Sequence, residues 1–494
     1  MKQPPLTEKI NLLYVLFLSV VAALGGFLFG YDTAVISGTI SMVTAQYGLS
    51  SVMQGWYVSS ALVGSIGGVL IAGWVSDRFG RKSAMAISAF FFFLSALGCA
   101  LAHSMDTLII YRILGGIGIG MISIISPMYI AEIAFAKIRG SLVSLYQLAI
   151  TLGFLAAFIV NFQLLDYSLT VLPTGVELYD KVFFTEVWRS MLGMETIPAG
   201  IFLIIVFLLP ESPRWLHMKG RNSKAIQVLS KIHNSPERGK AQLEEMKLGL
   251  AKKDSSNWEF LKKKPALIKA VAIGCAVAIL GQFMGVNAVL YYGPTIFEKS
   301  GLSGGDALFY QVLVGGVNAL TTVLALLIID RVGRKKLVYY GVSGMIICLL
   351  LIAGFFYKGD VWNLPSELLL SFFLGYIFFT AISISAVIFV LLSEMYPTKI
   401  RGIAMSISGF ALWVGTFLIG QFTPWLLENL TPEGTFLFFA TMCLPYMYII
   451  WKLIPETTGK TLEEIEAYWF AKDDLGAAAT SREHMSEKMV RHLK

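Results

Sequence analysis

Asp77-Arg78-Phe79-Gly80-Arg81-Lys82 is the stretch that decides the reading of this chain, because it returns in the second half as Asp330-Arg331-Val332-Gly333-Arg334-Lys335. Other short motifs return in the same order. Glu132, followed by Arg139-Gly140, recurs as Glu394 followed by Arg401-Gly402, and Pro210-Glu211-Ser212 recurs as Pro455-Glu456-Thr457. Each motif sits at the end of a long apolar run, so the repeated unit is a bundle of membrane helices. Two related bundles facing each other are the plan of a carrier that holds its cargo at the repeat interface and rocks around it.

Composition supports the membrane reading independently. With 56% hydrophobic and 14% charged residues and a mean hydropathy of +0.69, a soluble globule would expose far too much apolar surface. Stretches long enough to cross a bilayer fall at 12–38, 55–75, 84–102, 107–130, 141–163, 191–209, 266–296, 306–329, 337–357, 366–392, 402–427 and 435–454. The expected fold is all-α, with twelve transmembrane helices in two pseudo-symmetric six-helix bundles. The first bundle covers 1–209 and the second 265–462, with a linker at 210–264 and a tail at 463–494.

Lys and Arg set the orientation, because cytoplasmic loops are enriched in them. The connections after even-numbered spans carry Arg78, Arg81, Lys82, Lys137, Arg139, Arg331, Arg334, Lys335, Lys336, Lys399 and Arg401, whereas 39–54 carries none. Both termini are then cytoplasmic. The linker holds thirteen Lys and Arg against six Asp and Glu, which accounts for the formal net charge of +7. This excess reads as topology, since a nucleic-acid site would interleave basic residues with groove or stacking chemistry.

Within the linker, Ala225, Ile226, Val228, Leu229 and Ile232 recur at helical spacing, as do Leu243, Met246 and Leu250, which predicts short amphipathic helices under the bundle. The alternative is a solvated linker with incidental periodicity. The tail is polar and reads as partly disordered. Met1 to Asn11 runs into an apolar stretch too long for a signal core. Cys99, Cys275, Cys348 and Cys443 each fall in a different span, and the five His make no cluster. Neither a metal site, a cofactor loop nor a nucleophilic triad is expected.

The motifs together resemble the sugar porter family of the major facilitator superfamily, from about Leu16 to Leu462. They run in order: Gly30-Tyr31-Asp32-Thr33, Gly73-Trp74-Val75-Ser76-Asp77-Arg78-Phe79-Gly80-Arg81-Lys82, Tyr111-Arg112 and Pro127-Met128-Tyr129-Ile130-Ala131-Glu132. Pro210-Glu211-Ser212-Pro213-Arg214-Trp215-Leu216, Gln282-Phe283-Met284-Gly285-Val286-Asn287 and Pro455-Glu456-Thr457 complete the set. The resemblance is to proton-coupled xylose and hexose symporters. It implies alternating-access transport of a monosaccharide or polyol with a proton, by a monomer in a bacterial inner membrane. A passive uniporter of the same fold and a non-transporting sugar sensor stand as alternatives, and the short tail counts against the sensor.

Charges inside the spans need a reason, because one at a helix centre costs roughly 2.5 to 3.5 kcal/mol on insertion scales. Asp32 lies deep in the first span, Arg112 near the start of the fourth and Glu195 near the start of the sixth, all in the outer half by parity. The duplication places Asn287 opposite Asp32 and Leu374 opposite Arg112, so the scaffold does not require these charges twice. An Asp32–Arg112 pair that opens on protonation fits symport; a permanent bridge ordering two helices is the other reading. By resemblance, proton-coupled members carry Asp at the Asp32 position. Glu195 matches a family acid of the same relay, and the residues alone leave it equally able to sit solvated at the outer mouth.

Sugars present hydroxyls that donate and accept beside C–H faces that stack on rings, so amides and aromatics are the expected partners. Gln147, Gln282, Asn287 and Asn318 match the family's sugar-contacting amides, with Phe29, Tyr291, Tyr292, Phe389 and Trp413 as walls or gates; the alternatives are amides that join helices by hydrogen bonds and an aromatic stripe that only packs. The chain departs from the xylose and glucose carriers at Gly281, which replaces the first of two glutamines, at Ser385-Ala386-Val387-Ile388-Phe389, where a Gly-Pro and a Trp are expected, and at Leu412. These departures leave open a different hexose, another pentose, a deoxysugar or a polyol. The family's cytoplasmic gate maps onto Asp77, Arg78, Arg81, Glu132, Arg139, Glu211 and Arg214, and onto Asp330, Arg331, Arg334, Glu394 and Arg401. The same charges also serve topology and helix capping.

Overall fold

A computed structural model describes residues 11–135, 138–251, 261, 264–359, 361–397, 400–454 and 464. Among these residues there are helices and no strands, and twelve helices are long and apolar enough to cross a membrane. They are Leu12–Gly38, Ser51–Phe79, Arg81–Leu101, Met105–Ile133, Arg139–Thr170 and Trp188–Leu208, then Pro265–Lys299, Gly304–Ile329, Arg334–Lys358, Ser366–Met395, Arg401–Asn429 and Thr431–Lys452. Helices start and stop at polar and glycine signals beyond the apolar runs that hydropathy detects. The second span begins four residues early because Ser50 caps it through the Met53 N–H, and it ends at Gly80. The first helix runs on from Gly38 to Tyr47 and stops at Gly48 in the left-handed region, φ 61°.

Close helix contact rests on small residues. Gly64 and Gly68 of the second span press on the Ile113 and Ile117 carbonyls, and Gly116 and Gly120 of the fourth press back on Ala61 and Ser65. Any side chain at these positions would collide with backbone, so two small-xxx-small faces lock the pair. Large apolar residues such as Leu70, Ile204, Leu320 and Leu327 face outward, as lipid contact requires.

Three spans are broken where function is expected. In the sixth, Pro198 has no N–H to offer the Met194 carbonyl, and the helix yields at Met194–Glu195 between Trp188–Gly193 and Thr196–Ile205. In the seventh, Pro265–Phe283 gives way to Val286–Lys299 at Gly285, φ 94°, where a Cβ would meet the Phe439 ring at 2.5 Å. The Tyr376 hydroxyl donates to the freed Met284 carbonyl at 2.7 Å. The tenth carries a π-helical turn at Ala381–Ser385.

The linker forms helices Pro213–Met218, Asn222–His233 and Pro236–Ala251. Trp215, Leu216, Ala225, Leu229 and Leu243 make a small core of their own, as the helical spacing anticipates. Pro455-Glu456-Thr457 and, apart from Glu464, the tail lie outside the described residues.

Hydrogen bonds join the halves at one end. At the end opposite the Lys- and Arg-rich loops, Ser41 donates to Glu298 at 2.6 Å, Ser59 donates to Gln421 at 2.7 Å, and Gln421 donates to the Val52 carbonyl at 3.0 Å. Phe162 packs on Phe309 at 5.6 Å and Gly315 on Phe158. These contacts latch the two bundles together at the far end.

Candidate functional site

The charged residues of the first half converge. Arg112 Nη1 donates to Asp32 Oδ1 at 2.7 Å and also reaches the Asp32 carbonyl at 3.3 Å. Both side chains are buried, with 2% and 3% exposure. Glu195, placed by the break above Pro198, is also buried, and its carboxyl is close enough to Asp32 and Arg112 for the three charges to interact. The reading that leaves Glu195 solvated at a mouth is therefore corrected: the broken sixth span turns it inward. Asp32 Oδ2, Glu195 Oε1 and Arg112 Nε have no partner among the described residues. Two carboxyls share one guanidinium, so the cluster is neutral when it holds one proton.

Tyr291 of the second half completes this corner. With Thr33, Ile36, Leu62 and Arg112 it lines a cavity of about 10 Å³, roughly the room of one water. The outer piece of the seventh span thus touches the charged cluster of the opposite bundle.

A second group forms across the Gly285 break. Asn287 Nδ2 donates to Gln282 Oε1 at 2.7 Å, and Thr416 Oγ1 donates to the same oxygen at 3.2 Å. Asn287 is the repeat counterpart of Asp32, and here it belongs to an amide cluster. Trp413, one turn from Thr416, stacks on Phe29 of the first half with ring centroids 5.7 Å apart. Gln147 and Asn318 have side-chain amides with no partner among the described residues, and neither has the Trp413 indole N–H. Gln147 lies between Tyr146 and Ile150, which pack on Gly26 and Gly30 at either side of Phe29. Asn318 shares a face with Gly315, which meets Phe158 of the fifth span.

Two aromatic expectations change. Tyr292 is fully buried and donates to the Gly420 carbonyl at 2.6 Å, so it ties the seventh span to the eleventh and presents no wall to a ligand. Phe389 is 50% exposed and stacks on no other ring among the described residues. Gly281 is enclosed by Ile384, Ile388 and Tyr446, so the missing amide leaves an apolar wall. Thr416 was not anticipated. A threonine inside a membrane helix ordinarily bonds its own backbone, as this one also does at Leu412, and carries no sequence signal.

The profile of the "Sugar (and other) transporter" family matches residues 18–469. The chain belongs to the sugar transporter family. It is 38% identical to the arabinose-proton symporter of Bacillus subtilis, over 94% of this chain and 97% of that protein. It is 35% identical to the D-xylose-proton symporter of Escherichia coli, again over 94% and 97%. The inward-open structure of the xylose transporter XylE from Escherichia coli superposes with a TM-score of 0.79 at 34% identity, covering 92% of this chain and all of that one. The form of XylE bound to 6-bromo-6-deoxy-D-glucose gives 0.73 at 35% identity, covering 93% and 100%. This sugar transporter is an integral multi-pass membrane protein and not an enzyme.

At the basic end of this transporter the ion pairs described lie within a half. Arg81 is central: it donates to Glu132 through Nε and Nη2, each at 3.1 Å, and to Asp77 at 3.0 Å. Ser212 bonds Glu132, and the Trp215 indole donates to the Asp77 carbonyl at 3.0 Å, docking the linker. Glu211 accepts the backbone N–H groups of Arg81 at 2.8 Å, Lys82 at 3.2 Å and Ser212 at 2.8 Å. It therefore caps the third span from outside the helix. Gly80, φ 99°, is required because a Cβ there would strike the Glu211 carboxylate. Burial pushes the Glu211 carboxyl above its ordinary value despite these three donors.

In the second half Arg334 donates to Glu394 at 2.9 Å. Among the described residues, Arg139 and Arg401 reach only backbone carbonyls, of Ala134 at 3.5 Å and Tyr396 at 3.3 Å. Arg78 lies over the Trp74 and Phe79 rings, and Arg214 is exposed. The side chains of Asp330 and Arg331 lie outside the described residues.

Proposed function

We propose that this chain imports a monosaccharide across a bacterial inner membrane, one sugar with one proton, by alternating access. The observation that carries the coupling is the Asp32–Arg112–Glu195 cluster, in which two buried carboxyls face a single guanidinium and two carboxyl oxygens have no donor. A proton between Asp32 and Glu195 supplies that donor and neutralises the cluster. Loss of the proton returns Asp32 wholly to Arg112. A group that exchanges charge in this way cannot remain indifferent to whether the surrounding helices are open to water.

The sugar sits between the Gln282–Asn287–Thr416 cluster, the unpaired amides of Gln147 and Asn318, and the Phe29–Trp413 stack. The names of the relatives, arabinose, xylose and glucose carriers among them, support a pentose or hexose. With the basic end cytoplasmic by its Lys and Arg, the far-end contacts make the state described here inward-facing. The higher TM-score against the inward-open carrier supports the same reading.

Uptake of a panel of labelled pentoses, hexoses and polyols into proteoliposomes, with and without an inward proton gradient, tests the proposal. Concentrative uptake of one sugar only with the gradient is expected. Equal uptake without it makes the chain a facilitator, and no uptake of any panel member overturns the sugar assignment.

A further inference from the structure

The basic end carries a feature that transport does not use. Tyr339 of the ninth span and Met447, Tyr448 and Trp451 of the twelfth line an open groove of about 420 Å³ on the outer face of the bundle, within the size range of small-molecule sites. The walls are apolar, and Tyr448 and Trp451 are 50% and 69% exposed. Tyr339 lies five residues into its helix and Met447 five residues from the end of its own. At 1.5 Å per residue both are about 7.5 Å from the helix end, the depth of the layer between hydrocarbon and headgroups.

The mouth of the groove is cationic. Lys335 fixes the two helices together by donating to the Trp451 carbonyl at 3.3 Å and the Ile454 carbonyl at 2.8 Å. Lys336 is exposed one turn before Tyr339, and Lys452 stands over the Tyr448 ring at 5.6 Å. The ninth span contains no acidic residue, and the only one in the twelfth, Glu433, is at its opposite end. The Tyr448 hydroxyl and the Trp451 indole N–H have no partner among the described residues, so both remain available to an acceptor.

We propose that this groove is a binding site for a phospholipid with an anionic headgroup. The acyl chain lies along the aromatic and methionine wall, and the phosphate and its neighbours are held by Lys336, Lys452 and the two ring donors. A zwitterionic lipid fills the same apolar wall but gains nothing net from the lysines, so selectivity for negative charge is the mark of the site. Two lysines near a membrane surface give a preference on the order of fivefold each. The assignment is independent of which sugar is carried or whether a proton accompanies it.

Trp451 is its own reporter. The full chain is reconstituted in vesicles containing phosphatidylglycerol or phosphatidylcholine brominated on the acyl chain, at equal mole fractions. The difference in quenching between the parent and Trp451→Phe isolates that indole from the other nine tryptophans of the chain. Preferential quenching by the brominated phosphatidylglycerol, at least severalfold and lost when Lys336→Gln and Lys452→Gln are combined, is expected. Equal quenching by the two lipids, the signature of an unselective annulus, overturns the proposal, as does a preference that survives the double substitution. Should the double variant fold poorly, raising the salt on the parent separates the same two cases: an electrostatic preference must fall toward parity, and one that persists in high salt overturns the proposal.

Discussion

Arg112 Nη1 stands 2.7 Å from Asp32 Oδ1, while Asp32 Oδ2 and Arg112 Nε both lack a partner among the described residues. The two side chains are joined by one hydrogen bond where a fork-to-fork arrangement allows two, which leaves one carboxyl oxygen of Asp32 unused. Asp32→Asn preserves the shape and removes the titrating group. Its expected outcome is loss of gradient-driven accumulation, worth about 50-fold per 100 mV for one proton, with sugar exchange across the membrane retained. Parallel uptake and counterflow assays in proteoliposomes check both halves of the statement.

Arg112→Leu does the reverse and strands two carboxyls in the membrane interior. Breaking a buried pair from one side costs about 3 to 5 kcal/mol, so the variant is expected to melt well below the parent in detergent. Adding Asp32→Asn to Arg112→Leu should recover most of that loss. Thermal unfolding of the two variants and the parent measures the coupling directly, and an absence of recovery would mean that the two side chains act separately.

Gln282→Ala removes the oxygen shared by Asn287 and Thr416, leaving the Asn287 amide without its acceptor and Thr416 with only its own backbone at Leu412. Sugar affinity is expected to fall roughly tenfold to a hundredfold, read by isothermal titration with the sugar identified by uptake. Thr416→Ser keeps the hydroxyl and should bind within about twofold of the parent.

Gln421→Ala cuts two of the far-end bonds between the halves. At about 0.6 kcal/mol for each membrane hydrogen bond, the balance shifts toward the state open at that end by up to about eightfold. A cysteine placed at Ser41 and labelled with a membrane-impermeant maleimide should react correspondingly faster. Equal labelling rates would show that the latch does not set the equilibrium.

Glu211 supplies the pH dependence. Its folded carboxyl is raised by burial above the ordinary 4.5, so the folded state binds this proton more readily than the unfolded one. Its contribution is fully present below 4.5 and is lost as pH rises through the folded value. Glu211→Gln, which does not ionise, should lack that loss. The difference in melting temperature, variant minus parent, is therefore expected to grow from acid to neutral pH.

The twelve spans and the doubled plan were legible because apolar length and repeated motifs are written locally in the chain. Asp32 and Arg112 could be paired in advance because charges inside spans are few and parity fixes their depth. Glu195 could not be placed, since its burial depends on how Pro198 bends the sixth span against the first. Tyr292 stood as a wall, a gate or a packing residue because nothing in an aromatic residue says whether its ring meets a ligand or a neighbouring carbonyl; here its hydroxyl meets the Gly420 carbonyl. The latch of Ser41, Ser59 and Gln421 was invisible for a related reason: small polar residues in membrane helices are common, and only the docking of two bundles distinguishes the ones that meet.

The break at Gly285 divides responsibilities along one helix. Gln282 precedes it, whereas its partner Asn287 follows it, together with Tyr291, Tyr292 and Glu298 on the piece that touches the charged cluster and holds the far-end latch. The amide cluster thus spans the break, while the contact with the charged cluster and the far-end latch lie wholly after it, beyond a glycine at φ 94°. Substitutions beyond Asn287 on the outer piece are therefore expected to change the pace of the cycle more than the choice of sugar, whereas those at Gln282 or Asn287 are expected to change the choice.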